Sequence, residues 1–155
     1  MNLGFTTKSL MVFFVGVLAV YLGVFEGIEF LRHRKGAWVI DFTFGPDNTP
    51  ALNISQAHLG LTNVQVVLRG EPVTNGSAHV VFDKVKRPIP FGRLLYEDLT
   101  FLPGVLTFDL YGHEVELFPR TLVADRREIP WRSDSIVELW PTNKPAVPPQ
   151  PPKTR

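Results

Sequence analysis

The sequence predicts an all-β domain, an antiparallel sandwich or a jelly-roll-like pair of sheets, preceded by one N-terminal transmembrane α-helix and followed by a proline-rich C-terminal tail. Three observations carry that expectation. Residues 10–25 form an apolar run without a charge, the stretch from Gly36 to Trp140 alternates apolar and polar residues with a period of two, and six of the last fifteen residues are proline. The divisions that follow are 1–35 for the helix and its basic flank, 36–140 for the β domain and 141–155 for the tail. A chain of 155 residues that is 45% hydrophobic can bury a core, which excludes wholesale disorder. The lack of cysteine excludes disulfides, thiolate metal sites and a cysteine nucleophile.

The apolar run reads LMVFFVGVLAVYLGVF, with Leu10, Phe13, Phe14, Leu18, Tyr21 and Phe25 as its largest lipid-anchoring side chains. Continued to Leu31, a helix of that length spans about 33 Å, enough for a hydrocarbon core of roughly 30 Å. Glu26 and Glu29 then fall in the last turns, near headgroups, where a carboxylate costs far less than at the bilayer centre. Arg32, Arg34 and Lys35, with His33 among them, form a basic stop. A cleaved signal peptide shares the pattern of Lys8 followed by an apolar stretch, yet Val17-Leu18-Ala19 matches the small-residue cleavage pattern poorly, so a retained single-pass anchor is expected. The basic count alone, Lys8 and the amino terminus against three residues after the helix, points to a cytoplasmic β domain. The all-β character and the proline-rich tail point the other way. The expectation adopted is a bacterial inner membrane with the β domain on the periplasmic side.

Within the β domain, Trp38, Ile40, Phe42 and Phe44 alternate with Val39, Asp41 and Thr43, which defines a half-buried strand. Pro46, Asp47, Asn48 and Pro50 break it. Strands are next expected at 51–56, at 61–69 with Val64, Val66 and Leu68 inward, and at 78–83 with Ala78, Val80 and Phe82 inward. Thr74-Asn75-Gly76-Ser77 carries the Asn-Gly turn signal, which suggests that the last two strands form a hairpin. A second hairpin is expected over Val105–Phe118. A two-residue turn at Gly112-His113 sets Leu110 opposite Val115 and Phe108 opposite Leu117, with Asp109 facing Glu116 on the other side. Opposed carboxylates call for a nearby cation, and Arg120, Arg126 or Arg127 is expected to supply it. Shorter strands are expected at 94–96, 99–101, 121–124 and 136–140, with prolines 88, 90, 103, 119 and 130 at strand ends and edges. The tail, PTNKPAVPPQPPKTR, favours an extended polyproline conformation and reads as a spacer or docking strip.

No catalytic, cofactor or metal residues are assigned. There is no G-x-S-x-G, H-E-x-x-H, phosphate-binding glycine loop or calcium loop. The four histidines lack a partner at metal-ligand spacing: His33 belongs to the membrane flank, His58 to a loop, His79 to the outward side of its strand and His113 to the hairpin turn. Asn53-Ile54-Ser55 and Asn75-Gly76-Ser77 match the glycosylation pattern, which is short enough to arise by chance. The region 36–140 holds nine basic residues against thirteen acidic ones. That balance argues against nucleic acid as a partner. The segment Arg87–Gly104 contains more apolar residues than one half-buried strand can hide. It is expected to close the core, or to expose a contact surface with Phe91, Leu95, Tyr96 and Phe101 as interface candidates.

Two functions fit this organisation. The first is a non-enzymatic membrane accessory subunit whose helix sits in the bilayer and whose β domain contacts other subunits of a larger complex; Gly16 and Gly23 would admit a neighbouring helix. The second is a membrane-anchored β module that binds or transfers an amphiphile held between its sheets. The order of anchor then β domain resembles the plan of bacterial inner-membrane lipopolysaccharide-transport components, a resemblance of outline that no motif in the sequence extends.

Overall fold

The computed structural model describes residues 7–45, 47–72 and 76–144. The chain divides into two compact units, Met1–Arg34 and Lys35–Arg155. The described residues of the first form α1 (Thr7–His33), whose 27 residues bury no side chain. It is long and apolar enough to cross a membrane, a property that a signal sequence shares. Its basic end is tied locally, with Arg32 and His33 lying 3.6 and 3.3 Å from the Glu29 carboxylate.

Among the described residues the second unit contains ten strands in two five-stranded sheets. The first sheet has β1 (Val39–Phe44), β2 (Pro50–Gln56), β3 (Leu61–Leu68), β4 (Ala78–Val81) and β10 (Ile136–Leu139), in the spatial order β10-β3-β2-β1-β4. The second is a meander of β5 (Arg93–Asp98), β6 (Val105–Leu110), β7 (His113–Leu117), β8 (Thr121–Ala124) and β9 (Arg127–Pro130). Among the described residues all pairings are antiparallel except β10 with β3, which is parallel. The chain passes between sheets after β4 and after β9. A jelly roll exchanges strands between its sheets repeatedly, so the meander departs from that alternative.

The expected period of two places Trp38, Ile40 and Phe42 in the interior, each fully buried, while Asp41 and Thr43 face outward. Phe108 of the second sheet meets Phe42 of the first sheet and Phe82 just after β4 at ring-centroid distances of 6.3 and 5.7 Å, both edge-on. These contacts stitch the sheets through an aromatic core. Trp38 packs 5.3 Å from Trp131 and donates its indole N–H to the Gly104 carbonyl across 3.1 Å. Gln56, although buried, is satisfied: its amide donates to the carbonyls of Lys35 and Gly36, and its oxygen accepts the Leu59 N–H. It therefore fixes both the entry into β1 and the 57–60 turn.

Several expectations are corrected. The strands at 61–69 and 78–83 do not pair. β4 instead lies on the far side of β1, with Asp41 opposite His79, because the alternation that fixes a strand's face says nothing of its neighbour. Of the turn expected to join them, Thr74 and Asn75 lie outside the described residues. The β6–β7 turn is Tyr111-Gly112, both at positive φ, rather than Gly112-His113. The register is therefore Leu110 with His113, Phe108 with Val115 and Asp109 with Glu114. The shift is two residues, so every side chain keeps its expected face while His113 moves from the turn into the strand. Residues 99–101 are not a strand, and β9 is a strand beyond those expected. The tail beyond Lys144 also lies outside the described residues.

Candidate functional site

The segment Arg87–Gly104 divides between core and surface. Phe91 is 5% exposed, with its ring 5.2 Å from Phe42 and 5.9 Å from Tyr111, so it closes the core and is no surface residue. Leu99 and Leu102 are buried in the same core. Leu95, Tyr96 and Phe101 are 55, 56 and 63% exposed. The cause is local. β5 is an edge strand, and its register with β6 slips between Leu94 and Tyr96, leaving Leu95 as the extra residue of a bulge. A bulge rotates successive side chains out of strict alternation, so two consecutive apolar residues reach solvent.

Beside this edge lies the turn after β4, where Lys84, Val85 and Lys86 are exposed. The Lys86 backbone N–H donates to Glu97 Oε1 at 2.7 Å, which ties the turn to β5. Lys86, Arg87, Leu94, Leu95, Tyr96 and Glu97 line a groove of about 230 Å³ between them. Arg87 is held by Asp83, to which its Nη2 donates at 2.6 Å, and that bond keeps the Asp83 carboxyl below the usual carboxylate range. Lys84 and Lys86 have no carboxylate within ion-pair distance among the described residues.

A second cluster is buried at one end of the β domain. His113 lies fully buried with Nδ1 2.7 Å from Asp125 Oδ2, while Nε2 sits 3.5 Å from Glu71 Oε1. Glu71 also binds Lys144 Nζ at 2.7 Å. Asp125 occupies the β8–β9 turn with Arg126, both at positive φ, and its Oδ1 accepts the Glu114 N–H. The sequence pattern puts His113 in the hairpin turn. The two-residue shift places it inside, where its Asp125 pairing joins two adjacent turns and its Glu71 contact reaches the segment after β3. Chain distance hides this cluster: its members come from four separated positions, and no sequence spacing links them.

The opposed carboxylates on the outer side of the second sheet are Asp109 and Glu114. The cation beside them is Arg93 of β5, whose Nη2 lies 2.6 Å from Asp109, rather than Arg120, Arg126 or Arg127. Burial works against the Asp109 charge, but Arg93 and the Gly112 N–H outweigh it and hold its carboxyl low. Glu116 is pushed up by burial and then by the neighbouring Glu114 charge. On the outer side of the first sheet, His79 Nδ1 is 2.6 Å from Asp41 Oδ1, an exposed pair in register across β1 and β4. Among the described residues no group of three or more His, Asp or Glu side chains is arranged to hold a metal ion.

On α1 the expected anchor residues are all exposed: Leu10, Phe13, Phe14, Leu18, Tyr21 and Phe25 lie between 49 and 71%. At Gly16, Gly23 and Gly27 the space that a Cβ would fill is open, with no neighbouring atom within 4 Å. Gly23 and Gly27 are four apart, with Ala19 one turn earlier. This small-residue stripe is visible in the sequence and is tighter than the seven-residue spacing of Gly16 and Gly23. Comparison of the chain with protein families, with curated proteins and with solved structures finds no match in any of the three.

Proposed function

We propose that this protein is a non-enzymatic, single-pass membrane accessory subunit, in which α1 holds the chain in the bilayer beside a neighbouring helix and the β domain meets the surrounding assembly. The observation that carries the reading is α1 itself. Its apolar side chains point in every direction and none is buried, whereas a helix built to cover a soluble core buries one face. The Ala19, Gly23 and Gly27 stripe suits close approach of a second helix. The exposed Ile136 and Trp140 at the edge of the first sheet add apolar surface suited to a subunit contact. A bacterial inner membrane with the β domain outside the cytoplasm is the location we assign.

The amphiphile-binding alternative requires a hollow between the sheets. Aromatic rings 5.2 to 6.3 Å apart occupy that space, which weighs against it. Crosslinking in native membranes tests the main reading: adducts to one or more membrane proteins are expected. Purification in mild detergent as a monomer, with no adduct formed in the membrane, would sink it. The side of the membrane is read by labelling a single cysteine introduced near the C-terminus in intact cells, which the cysteine-free sequence makes unambiguous.

A further inference from the structure

The exposed β5 edge and the turn beside it have the chemistry of a bilayer interface. Val85, Leu95 and Tyr96 supply an apolar and aromatic centre, each more than half exposed. Lys84 and Lys86 flank it with ammonium groups that no described carboxylate approaches within ion-pair distance. Aliphatic side chains that enter the headgroup boundary, a tyrosine at that depth and lysines that meet anionic phosphates are the three components of interfacial binding.

A protein strand is a poorer occupant. Adding a strand to β5 needs a continuous row of free backbone groups, and the bulge at Leu95 interrupts that row in the middle of a six-residue strand. A lipid surface needs no ladder, only exposed side chains of this kind. We infer that the Val85, Leu95 and Tyr96 patch, with Lys84 and Lys86, docks on the anionic surface of the bilayer. The inference rests on reading α1 as a membrane span. Only five residues, Arg34–Trp38, join α1 to β1, so an embedded helix keeps lipid at high effective concentration for the β domain.

The test uses the full chain, whose lack of cysteine permits single nitroxide labels, reconstituted in vesicles of phosphatidylcholine with phosphatidylglycerol. Labels are placed by Leu95→Cys, by Val20→Cys in α1 and by Glu128→Cys on β9. Power-saturation spectra are expected to show the label at 95 more accessible to oxygen than to a water-soluble nickel complex, as at position 20, while position 128 reads water. Phosphatidylcholine vesicles, or Lys84→Glu with Lys86→Glu, are expected to lower the oxygen-to-nickel ratio at 95 several-fold and leave position 20 unchanged. A label at 95 that reads water while position 20 reads lipid overturns the docking inference and spares the anchor. A label at 95 shielded from both reagents overturns it in favour of a protein contact. A label at 20 that reads water removes the span on which the inference rests.

Discussion

Burial makes His113 the most consequential polar residue of the β domain. Its Nδ1 lies 2.7 Å from a fully buried Asp125 carboxylate, and removing the imidazole deprives that buried oxygen of its partner and leaves a cavity where the ring stood, at a cost of about 3 kcal/mol. His113→Ala is therefore expected to lower the unfolding free energy by that amount in urea denaturation, while His79→Ala, which loosens an exposed pair, changes it by under about 1 kcal/mol. Equal losses from the two substitutions would show that the buried cluster is not a stabilising tie. The carboxylates of the second sheet respond to acid with opposite signs. Asp109 has its folded pKa held below the ordinary 3.8, so its contribution is complete above that value and fades as pH falls through the folded one. Arg93→Gln is expected to weaken this loss of stability on acidification. Glu116 is raised above 4.5, so its ionised form costs stability once pH has risen through its folded value. Glu116→Gln is thus expected to stabilise the domain at neutral pH by up to about 0.5 kcal/mol and to confer no gain under acid conditions where both states are protonated. Paired denaturation curves at neutral and acidic pH decide both effects.

At the scale of elements, the loop between β5 and β6 is the least tolerant. Gly104 adopts φ +75, and a methyl group there would run into the Asp98 carbonyl and stand 3.1 Å from Leu99 Cδ2. Its own carbonyl accepts the Trp38 indole N–H, so a shift of the loop also disturbs the core. Gly104→Ala is expected to cost about 3 kcal/mol or more. Gly60→Ala, with a similar φ of +64 but open space around it, is expected to cost about 1 kcal/mol, and differential scanning calorimetry separates the two. The same loops explain what the sequence can and cannot disclose. Faces are legible because Trp38, Ile40 and Phe42 repeat every second residue. Partners are not, since β4 joins β1 across a long connection and β10 joins β3 in parallel. The turn at Tyr111-Gly112 is hidden because an aromatic residue seldom adopts positive φ, which makes glycine the natural first residue of the turn. Of the interface candidates, Leu95, Tyr96 and Phe101 are exposed while Phe91 is not. The bulge that exposes Leu95 and Tyr96 together is a property of pairing with β6, which composition does not encode.

For the whole molecule, the apolar helix and the filled β domain are separable requirements, and a charge in the helix should affect one of them alone. Val20 lies near the middle of α1 and is 67% exposed. Arginine at a helix centre costs about 2.5–3.5 kcal/mol on insertion, enough to move a single helix from spanning toward exclusion. Val20→Arg is expected to shift a large part of the chain from the floated membrane fraction to the soluble or aggregated fraction after an alkaline wash. Thermal unfolding of the β domain should remain within about 0.5 kcal/mol of the parent, because the substitution lies in a separate compact unit. Intact mass of the membrane-bound chain tests for the presence of residues 1–35. Loss of that segment from the mature protein, or full membrane retention of the arginine variant, would mean that something other than α1 holds the β domain to lipid.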